Sequence, residues 1–350
     1  MATRIAIMGS GAIGSIVGGM LTRTGHDVTL IDQWPEHVEV MKRDGLHLSI
    51  KGNDYTIPVN ALNIGELPTV QGSFDLAFIS MKSYDTEWAT MLMRSYLSSD
   101  GLVVDLQNGI NDDRVAEIIG GNRTLGCVIT MGAGMYEPGH VIRTDSRDIG
   151  FRVGEFDGSN TSRVNHIAEI MSNIEGTIVT DNLWGERWGK LAVNCMANPI
   201  AGLTGFGGAE VRINDTSREI AIHLAAEVIK VGMASGHELG LIWGIEAQQF
   251  LDAADGKDSS TLKEKLIKQS TALGEGRPSF LQDVMRGRRT EIDYLNGYVS
   301  ERGREVGIPT PVNDAVVEIV HSFPIGKIEP DPDNLEKIRK RLPSGFLNTS

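Results

Sequence analysis

The chain has 350 residues, with 33 basic against 46 acidic side chains and a net charge of −13. This length suits about two domains at roughly 150 residues each. The acidic balance repels nucleic acid and anionic membranes, so we expect neither as a partner. Hydrophobic residues make up 41% of the chain, which excludes a disordered protein. No apolar stretch reaches the ~18 residues that a membrane span needs.

The two cysteines, Cys127 and Cys195, cannot form a disulfide framework, which is typical of a reducing compartment. The chain runs from Met1 directly into a strand-like segment, where no signal peptide fits. We therefore expect a cytoplasmic protein without a metal site. The sequence leaves a homodimer open.

Short apolar segments alternate with helical patterns in the first half of the chain. We predict strands at Arg4–Met8, 28–31, 76–79, 103–106 and 125–130, with a helix over 13–23. Because strands separated by helices form right-handed crossover units, the sheet should be mostly parallel. Residues 139–154 are strand-like without helices, which predicts an antiparallel edge.

Beyond Thr180 the pattern becomes helical. Helices are predicted over 184–198, 217–235, 245–253, 278–286, 290–306 and 311–323. We place a domain boundary near Asp181. The predicted organisation is an α/β domain over 1–181, an all-α domain over 182–328 and a proline-containing tail over 329–350 that is loosely attached.

A glycine-rich motif, Gly9-Ser10-Gly11-Ala12-Ile13-Gly14, follows the first predicted strand with the spacing G-x-G-x-x-G. Gly9 allows a tight turn, Gly11 lets the backbone approach a pyrophosphate, and Gly14 lets the helix pack close to the strand. The helix N-terminus then holds the negative charge. We predict a Rossmann-type, doubly wound domain in which all six residues contact the cofactor. The alternative is a glycine turn without a ligand.

Asp32 ends the second predicted strand, 18 residues after Gly14. A carboxylate there accepts hydrogen bonds from ribose hydroxyls and repels a 2′-phosphate, which favours NAD(H) over NADP(H). The alternative is an aspartate that caps the next helix. The nearest groups that could restore NADP(H) binding are Arg4, Arg23 and His37.

Two loops follow later strands, Ser80-Met81-Lys82-Ser83 and Gln107-Asn108-Gly109. In an open α/β sheet, ligands bind at the carboxyl ends of the strands. Lys82 and Asn108 are therefore candidates to line the nicotinamide end of the cofactor site. The alternatives are a solvated lysine and a turn-forming Asn-Gly pair.

In the helical half, Lys190, Asn194 and Asn198 are spaced by four. Each step of four drifts only ~40° around a helix, so the three share one stripe. An adjacent apolar stripe is formed by Trp184, Trp188, Leu191 and Cys195. An ammonium and two amides offer donors to carbonyl and carboxylate oxygens, and partial burial lowers a lysine pKa toward that of a general acid. The alternative is a solvated helix face.

The segment 274–279, which ends in Arg277-Pro278-Ser279, is typical of a loop that enters a helix. Ser279 lies in the first turn, where a substrate carboxylate could dock. Asp283, Gly287 and Glu291 continue at steps of four, so an unbroken helix would put them on one stripe. The alternative is a surface where both carboxylates pair with nearby arginines (Arg286, Arg288 and Arg289).

The glycine motif occurs in one order with three further segments: Trp188-Gly189-Lys190-Leu191 continuing to Asn194 and Asn198-Pro199; Ser279-Phe280-Leu281-Gln282-Asp283; and Thr290-Glu291-Ile292-Asp293-Tyr294-Leu295-Asn296-Gly297. Over about residues 2–323 this pattern resembles the ketopantoate reductases (2-dehydropantoate 2-reductases). The resemblance implies reduction of a branched 2-keto acid to its 2-hydroxy acid.

By that resemblance, Lys190 is the general acid that protonates the ketone oxygen, and Glu291 is the carboxylate that holds the substrate. The substrate-binding residues are Asn194, Asn198 and Ser279, and we add Asp283. Lys82 and Asn108 match the family's loops beside the nicotinamide and the substrate. A cation and amide donors aimed at the ketone oxygen stabilise the alkoxide as it forms.

Two departures from the family pattern leave other functions open. Asp32 stands where the family, which favours NADPH, often has a basic residue. Gly208 stands where the family tends to have an asparagine. An NAD-dependent D-2-hydroxy acid dehydrogenase acting on another substrate is therefore one alternative. A dinucleotide sensor or scaffold without turnover is another, although it would need no proton donor.

Overall fold

The computed structural model describes residues 3–257, 259–270, 277–343 and 346. The chain forms two compact units, Met1–Leu183 and Trp184–Ser350, divided close to the boundary that we predict at Asp181. The predicted loop residues Gly274, Glu275 and Gly276 lie outside the described residues.

The first unit contains twelve strands among its described residues. They are β1 (Arg4–Met8), β2 (Asp27–Asp32), β3 (Leu46–Ile50), β4 (Asn53–Ile57), β5 (Asn60–Asn63), β6 (Phe74–Ile79), β7 (Leu97–Asp105), β8 (Thr124–Ile129), β9 (Ala133–Glu137), β10 (His140–Arg143), β11 (Ile149–Gly154) and β12 (Gly176–Val179). Five helices accompany them: α1 (Ala12–Arg23), α2 (Pro35–Asp44), α3 (Thr86–Arg94), α4 (Asp112–Ile119) and α5 (Ser162–Ser172).

Eight of these strands form the main sheet, in the order β12-β11-β8-β7-β6-β1-β2-β5. In this order, the six neighbouring strands β8, β7, β6, β1, β2 and β5 all run parallel. Strand β11 pairs antiparallel with β8, and β12 runs parallel to β11. The predicted mostly parallel sheet is thus confirmed. Of the segment 139–154, predicted as an antiparallel edge, only β11 joins this sheet, and it lies one strand in from the edge. The strand order of the sheet reverses direction at β1, which is where a doubly wound sheet binds its ligand.

Both faces of the main sheet are covered, because successive side chains of a strand point to opposite sides. Ile5 and Ile7 of β1 belong to a core that also contains side chains of α1, α2 and α5. Ala6 and Met8 belong to a second core with side chains of α3 and α4. The doubly wound α/β class is therefore confirmed.

A second sheet, in the order β4-β3-β10-β9, is absent from our prediction. It packs on α1 through glycine, since a Cβ at Gly19 would lie 2.8 Å from Leu46 and 2.9 Å from Leu48. On the main-sheet side of the same helix, a Cβ at Gly18 would lie 2.9 Å from Leu30. The two glycines thus let α1 fit tightly between two sheets.

The described residues of the second unit form nine helices, a 3₁₀ turn at Ile292–Tyr294 and one isolated bridge between Ile242 and Ile245. The helices are α6 (Leu183–Thr204), α7 (Glu210–Ile213), α8 (Asp215–Ala234), α9 (Ala247–Ala254), α10 (Ser260–Ser270), α11 (Ser279–Met285), α12 (Asn296–Val306), α13 (Pro311–His321) and α14 (Asn334–Arg339). The all-α character of this half is confirmed, although α7, α10 and α14 were not predicted.

The expectation of a loose tail is wrong for residues 329–342. Leu335 and Ile338 of α14 are buried. The buried Asn334 amide donates to the carbonyl of Leu203 at 2.7 Å, and the Asp331 N–H donates to the same carbonyl at 2.8 Å. The prolines lie only at the two ends of this segment. Between them, Leu335 and Ile338 are spaced so that one short helix packs both side chains into the protein. Among the described residues, no helix combines the length and apolarity that crossing a membrane demands.

Candidate active site

The glycine motif forms the turn from β1 into α1. Gly9 has φ = +102°, and a Cβ there would lie 2.8 Å from the backbone of Met81. A Cβ at Gly14 would lie 1.9 Å from the Gly9 carbonyl oxygen. The turn and packing roles predicted for these two glycines are therefore confirmed. A Cβ at Gly11 would meet nothing within 4 Å, so the backbone there is open to a ligand.

This turn fits a dinucleotide pyrophosphate by three observations. Gly11 caps a helix of 12 residues whose first N–H groups have no intrahelical partner. The Gly11 backbone has space beside it. The Ser10 hydroxyl is buried and has no hydrogen-bond partner in the described part of the chain. The contacts of Ser10, Ala12 and Ile13 with a cofactor stay a prediction.

Asp32 accepts hydrogen bonds from the glycine motif and from the residue before the next helix. Its Oδ2 accepts a hydrogen bond from the Ser10 N–H at 2.7 Å, and its Oδ1 accepts one from the Trp34 N–H at 2.9 Å. The second bond goes to Trp34, which is itself the N-cap residue of α2, and no side chain caps that helix, so the capping alternative is wrong. The first one, which the sequence did not suggest, places the carboxylate against the turn. A carboxylate has about four acceptor sites, so ribose hydroxyls can still bind.

Each of the three groups that could have restored NADP(H) binding makes contacts of its own in the first unit. His37 is fully buried; its Nδ1 accepts the Gly139 N–H at 2.8 Å, so the neutral ring donates from Nε2 to the Ser10 carbonyl at 2.9 Å. Burial lowers the pKa of His37, although Asp32 opposes this. Arg4 donates to the carbonyls of Gln71 and Ser73. The Arg23 guanidinium lies 4.5 Å from the Tyr55 ring centroid.

Lys82 lies in the loop that follows β6, the neighbour of β1 in the sheet. Asn108 lies in the loop that follows β7, the next strand along. Both are half-buried, so Lys82 is not a fully solvated lysine. Ser80 N–H donates to Met8 O at 2.8 Å, which joins the first of these loops to the glycine turn. The carboxyl ends of β1, β6 and β7 therefore bring the predicted cofactor loops to one sheet edge.

Three buried polar residues that the sequence analysis did not single out fix these loops. Gln107 donates to the Met81 carbonyl at 2.8 Å. The Ser83 hydroxyl donates to the Asn108 carbonyl at 3.2 Å. The Asn111 side-chain amide donates to the Ser83 hydroxyl oxygen at 3.1 Å and to the Asn108 carbonyl at 3.0 Å. The sequence signal for this set is adjacency to the candidates, since Ser83 directly follows Lys82 and Gln107 directly precedes Asn108.

In the second unit, Lys190, Asn194 and Asn198 all lie on α6. Lys190 is half-buried, while Asn194 and Asn198 are only 6% and 7% exposed. The solvated-face alternative is therefore wrong for both asparagines. Buried amides need hydrogen-bond partners, so this row places polar groups along one buried face of α6.

The predicted apolar stripe of α6 packs into the core of its unit. Trp188, Leu191 and Cys195 are buried, whereas Trp184 is half-buried. Burial, and then the charge of Glu227, raises the pKa of the Cys195 thiol. This cysteine is thus a packing residue without thiolate chemistry.

Helix α6 continues beyond the predicted end at Asn198, through Pro199 to Thr204. Its next stripe position is Gly202, where a Cβ would lie 2.3 Å from Phe280 Cδ1. Only glycine lets α11 approach this closely. Phe280 follows Ser279, so the contact brings the predicted substrate-binding serine to the helix that carries the stripe.

The predicted single stripe from Ser279 to Glu291 is wrong, because α11 ends at Met285. Gly287 has φ = +62°, its N–H donates to Val284 O at 3.0 Å, and Arg288 N–H donates to Asp283 O at 2.9 Å. This is a Schellman stop, for which glycine is the favoured residue. The predicted helix over 290–306 is also interrupted, since Glu291 precedes the 3₁₀ turn and α12 begins at Asn296.

Asp283 and Glu291 are only 4% and 6% exposed, so neither lies on a solvated surface. Arg289 lies 3.6 Å from Asp293. Two buried carboxylates within the helical unit agree with a polar site.

Comparison with known proteins matches both units to one family. Residues 5–158 match the family model of ketopantoate reductase PanE/ApbA, and residues 182–323 match the model of its C-terminal domain. The 2-dehydropantoate 2-reductase of Pyrococcus horikoshii is 31% identical over 312 residues, which cover 89% of this chain and 94% of the relative.

Two solved structures are also similar. A PanE/ApbA family ketopantoate reductase from Ralstonia eutropha JMP134 has a TM-score of 0.76 at 28% identity, covering 95% of this chain and 100% of that one. A ternary structure of D-mandelate dehydrogenase with NADH and anilino(oxo)acetate has a TM-score of 0.78 at 26% identity, covering 91% and 98%.

The matches define a two-domain oxidoreductase that uses a pyridine nucleotide and acts on CH–OH groups. The chain belongs to the ketopantoate reductase family. The family and the enzyme class predicted from the sequence are confirmed.

Proposed function

We propose that this protein reduces a branched 2-keto acid, with ketopantoate as the first candidate, to its 2-hydroxy acid. The observation that carries the proposal is the row of Lys190 and two buried asparagines on α6, within the part of the chain that matches the family's C-terminal domain. A dinucleotide sensor would not need such a row.

Residues of the first unit would hold the cofactor. Backbone N–H groups of Gly11–Ile13 would bind the pyrophosphate, and Asp32 would bind the adenosine ribose. Lys82 and Asn108 would line the nicotinamide end. A reduced nicotinamide, when bound, supplies the hydride for the reaction.

Residues of the second unit would handle the substrate. Lys190 would donate its proton to the ketone oxygen, because negative charge develops there as the carbonyl is reduced. Asn194, Asn198 and Ser279 would donate hydrogen bonds to substrate oxygens, and Glu291 would accept one from a substrate hydroxyl. Asp283 is the remaining candidate for substrate binding.

NAD(H) is the proposed cofactor. Asp32 lies against the glycine turn, where its charge repels a 2′-phosphate. Arg4 and Arg23 contact other groups of the first unit, and burial of His37 beside the glycine turn disfavours its charged form.

A second candidate is an NAD-dependent D-2-hydroxy acid dehydrogenase for another substrate. The similarity to D-mandelate dehydrogenase, solved with NADH, is the observation behind it, whereas the relatives named 2-dehydropantoate 2-reductase support the first candidate. Gly208, which offers no side-chain amide, also supports the second candidate.

The test is a panel of ketopantoate, other branched 2-keto acids and the aromatic 2-keto acid related to mandelate, each with NADH and with NADPH. The proposal expects NADH oxidation to be fastest with a branched substrate. Faster turnover of the aromatic acid would select the second candidate. Binding of NADH without turnover of any substrate would favour a sensor.

A further inference from the structure

Helix α6 has a gap in its backbone hydrogen bonding between Asn194 and Asn198. Pro199 has no N–H, so it cannot donate to the carbonyl of Cys195 four residues earlier. Cys195 is fully buried, and water cannot replace the missing donor. An unsatisfied buried carbonyl is strongly disfavoured. Here the side-chain amide of Asn296, at the start of α12, donates to the Cys195 carbonyl at 3.3 Å.

Asn296 is itself held in one orientation. Its Nδ2 also donates to Asn313 Oδ1 at 2.9 Å. The Asn313 amide cannot turn over, because its own Nδ2 donates to the Glu227 carboxylate at 2.7 Å and lies 3.4 Å from Leu224 O. The donor side of Asn296 therefore faces both acceptors.

Glu227 anchors this chain of bonds. From α8 it accepts the N–H groups of Val312 and Asn313 in the first turn of α13, each at 2.9 Å. Asn296 and Asn313 are fully buried and Glu227 is 6% exposed. The network thus connects α8, α12 and α13 to one backbone carbonyl of α6.

The location of that carbonyl gives the network a function. The hydrogen bond that Pro199 cannot make spans the turn between Asn194 and Asn198, so its replacement sets the relative positions of these two amides. Asn296 begins α12, five residues after Glu291.

We propose that Asn296 positions Asn194 and Asn198 for the reaction. It does so by donating to the Cys195 carbonyl in place of the N–H that Pro199 lacks. This inference rests on the proposed function only in that its effect is read as turnover. A misplacement of about 1 Å at a reacting centre costs up to about a hundredfold in rate. We therefore expect Asn296→Asp, which keeps the shape and loses the donor, to lower kcat by about tenfold or more. Its NADH affinity should stay within about twofold of the wild-type value.

A double-mutant cycle separates this role from general support of the fold. Pro199→Ala restores an N–H that can donate to the Cys195 carbonyl. In that background, Asn296→Asp or Asn296→Ala should lower kcat by less than about threefold, because the donor is no longer needed. Equal losses of kcat in both backgrounds would overturn the inference.

Asn334 provides a matched control. It is as deeply buried as Asn296, and its amide also donates to an α6 carbonyl, that of Leu203 at 2.7 Å, but beyond the stripe. Asn334→Ala should lower the melting temperature as Asn296→Ala does, yet keep kcat within about twofold. A similar loss of kcat in both variants would reduce Asn296 to a stability role.

Hydrogen–deuterium exchange of α6 gives a readout that needs no turnover. Asn296→Ala should speed exchange in the peptide around 195–203, and Pro199→Ala should reverse this. If the wild-type protein turned over no 2-keto acid, the proposed function would fail while this arm still tested the hydrogen bond. Unchanged exchange in Asn296→Ala would overturn the positioning role itself.

Discussion

The two candidate binding regions are built in opposite ways. The cofactor turn of the first unit is made by a few consecutive residues, and its shape follows from local sterics at Gly9 and Gly14. The polar stripe of α6 depends on partners far away in the sequence, such as Asn296, about 100 residues later. Local patterns therefore shape the turn proposed to bind the cofactor, whereas long-range contacts hold the stripe proposed to bind the substrate.

The largest expected effect is on the substrate side. Lys190→Ala should lower kcat by about a hundredfold to ten-thousandfold, the usual contribution of a general acid. Its NADH affinity should be unchanged, because the proposed cofactor contacts lie in the other unit. Steady-state kinetics and a fluorescence titration with NADH measure both quantities.

Lys230→Ala is the control for this variant. Lys230 lies in the same unit and pairs with Asp255 at 3.0 Å on the surface. It should turn over like the wild type. Full activity of Lys190→Ala would contradict the proposed mechanism.

On the cofactor side, Gly11→Ala should separate folding from binding. The new Cβ would meet nothing in the protein, so the melting temperature should be kept. It would occupy the space of the pyrophosphate, and NADH affinity should fall by about tenfold to a hundredfold. Gly121→Ala, another open position, is the control. Undiminished affinity would place the pyrophosphate elsewhere.

Asp32→Asn tests the cofactor preference. The wild type should have a higher kcat/KM with NADH than with NADPH. In the variant this ratio should fall by about tenfold, because the repulsion between the Asp32 carboxylate and the 2′-phosphate disappears. The amide keeps one acceptor for either Ser10 or Trp34. A wild-type preference for NADPH would show that our interpretation of Asp32 is wrong.

The smallest effect concerns stability and pH. Burial raises the pKa of Glu227 from 4.5 to about 7, against the lowering effect of its N–H donors. Because this pKa is higher in the folded state, its stabilising contribution is complete below pH 4.5 and is lost as pH rises through 7. The loss amounts to at most about 3 kcal/mol. Glu227→Gln should flatten the dependence of melting temperature on pH between 4.5 and 7; an unchanged slope would assign it to other groups.

The sequence predicted well those features that depend on neighbouring residues. The strand β1 and the glycine turn follow from a short apolar run and three glycines, whose steric demands are local. The polar stripe on α6 follows from helical periodicity. For these features a local sequence pattern gives the position, and only the alignment of the stripe depends on distant partners.

Other features could not be predicted because they depend on distant partners. Strand β3 pairs with β10, about 90 residues later, so its hydrogen-bond partner is invisible in a local pattern. An unbroken helix through Gly287 would put Glu291 on the same stripe as Ser279. Gly287 instead adopts a left-handed conformation that ends α11, so Glu291 does not lie on that helix. The continuation of α6 through Pro199 required a donor from α12.

The close fit of α1 between two sheets has a consequence for ligand capture. Leu30 on one side and Leu46 and Leu48 on the other leave this helix little freedom to shift. Its first N–H groups are therefore preorganised for an anion before any arrives, and little ordering entropy opposes the encounter. A larger side chain at Gly18 or Gly19 would displace α1 and so shift its first N–H groups, although neither residue belongs to the glycine motif.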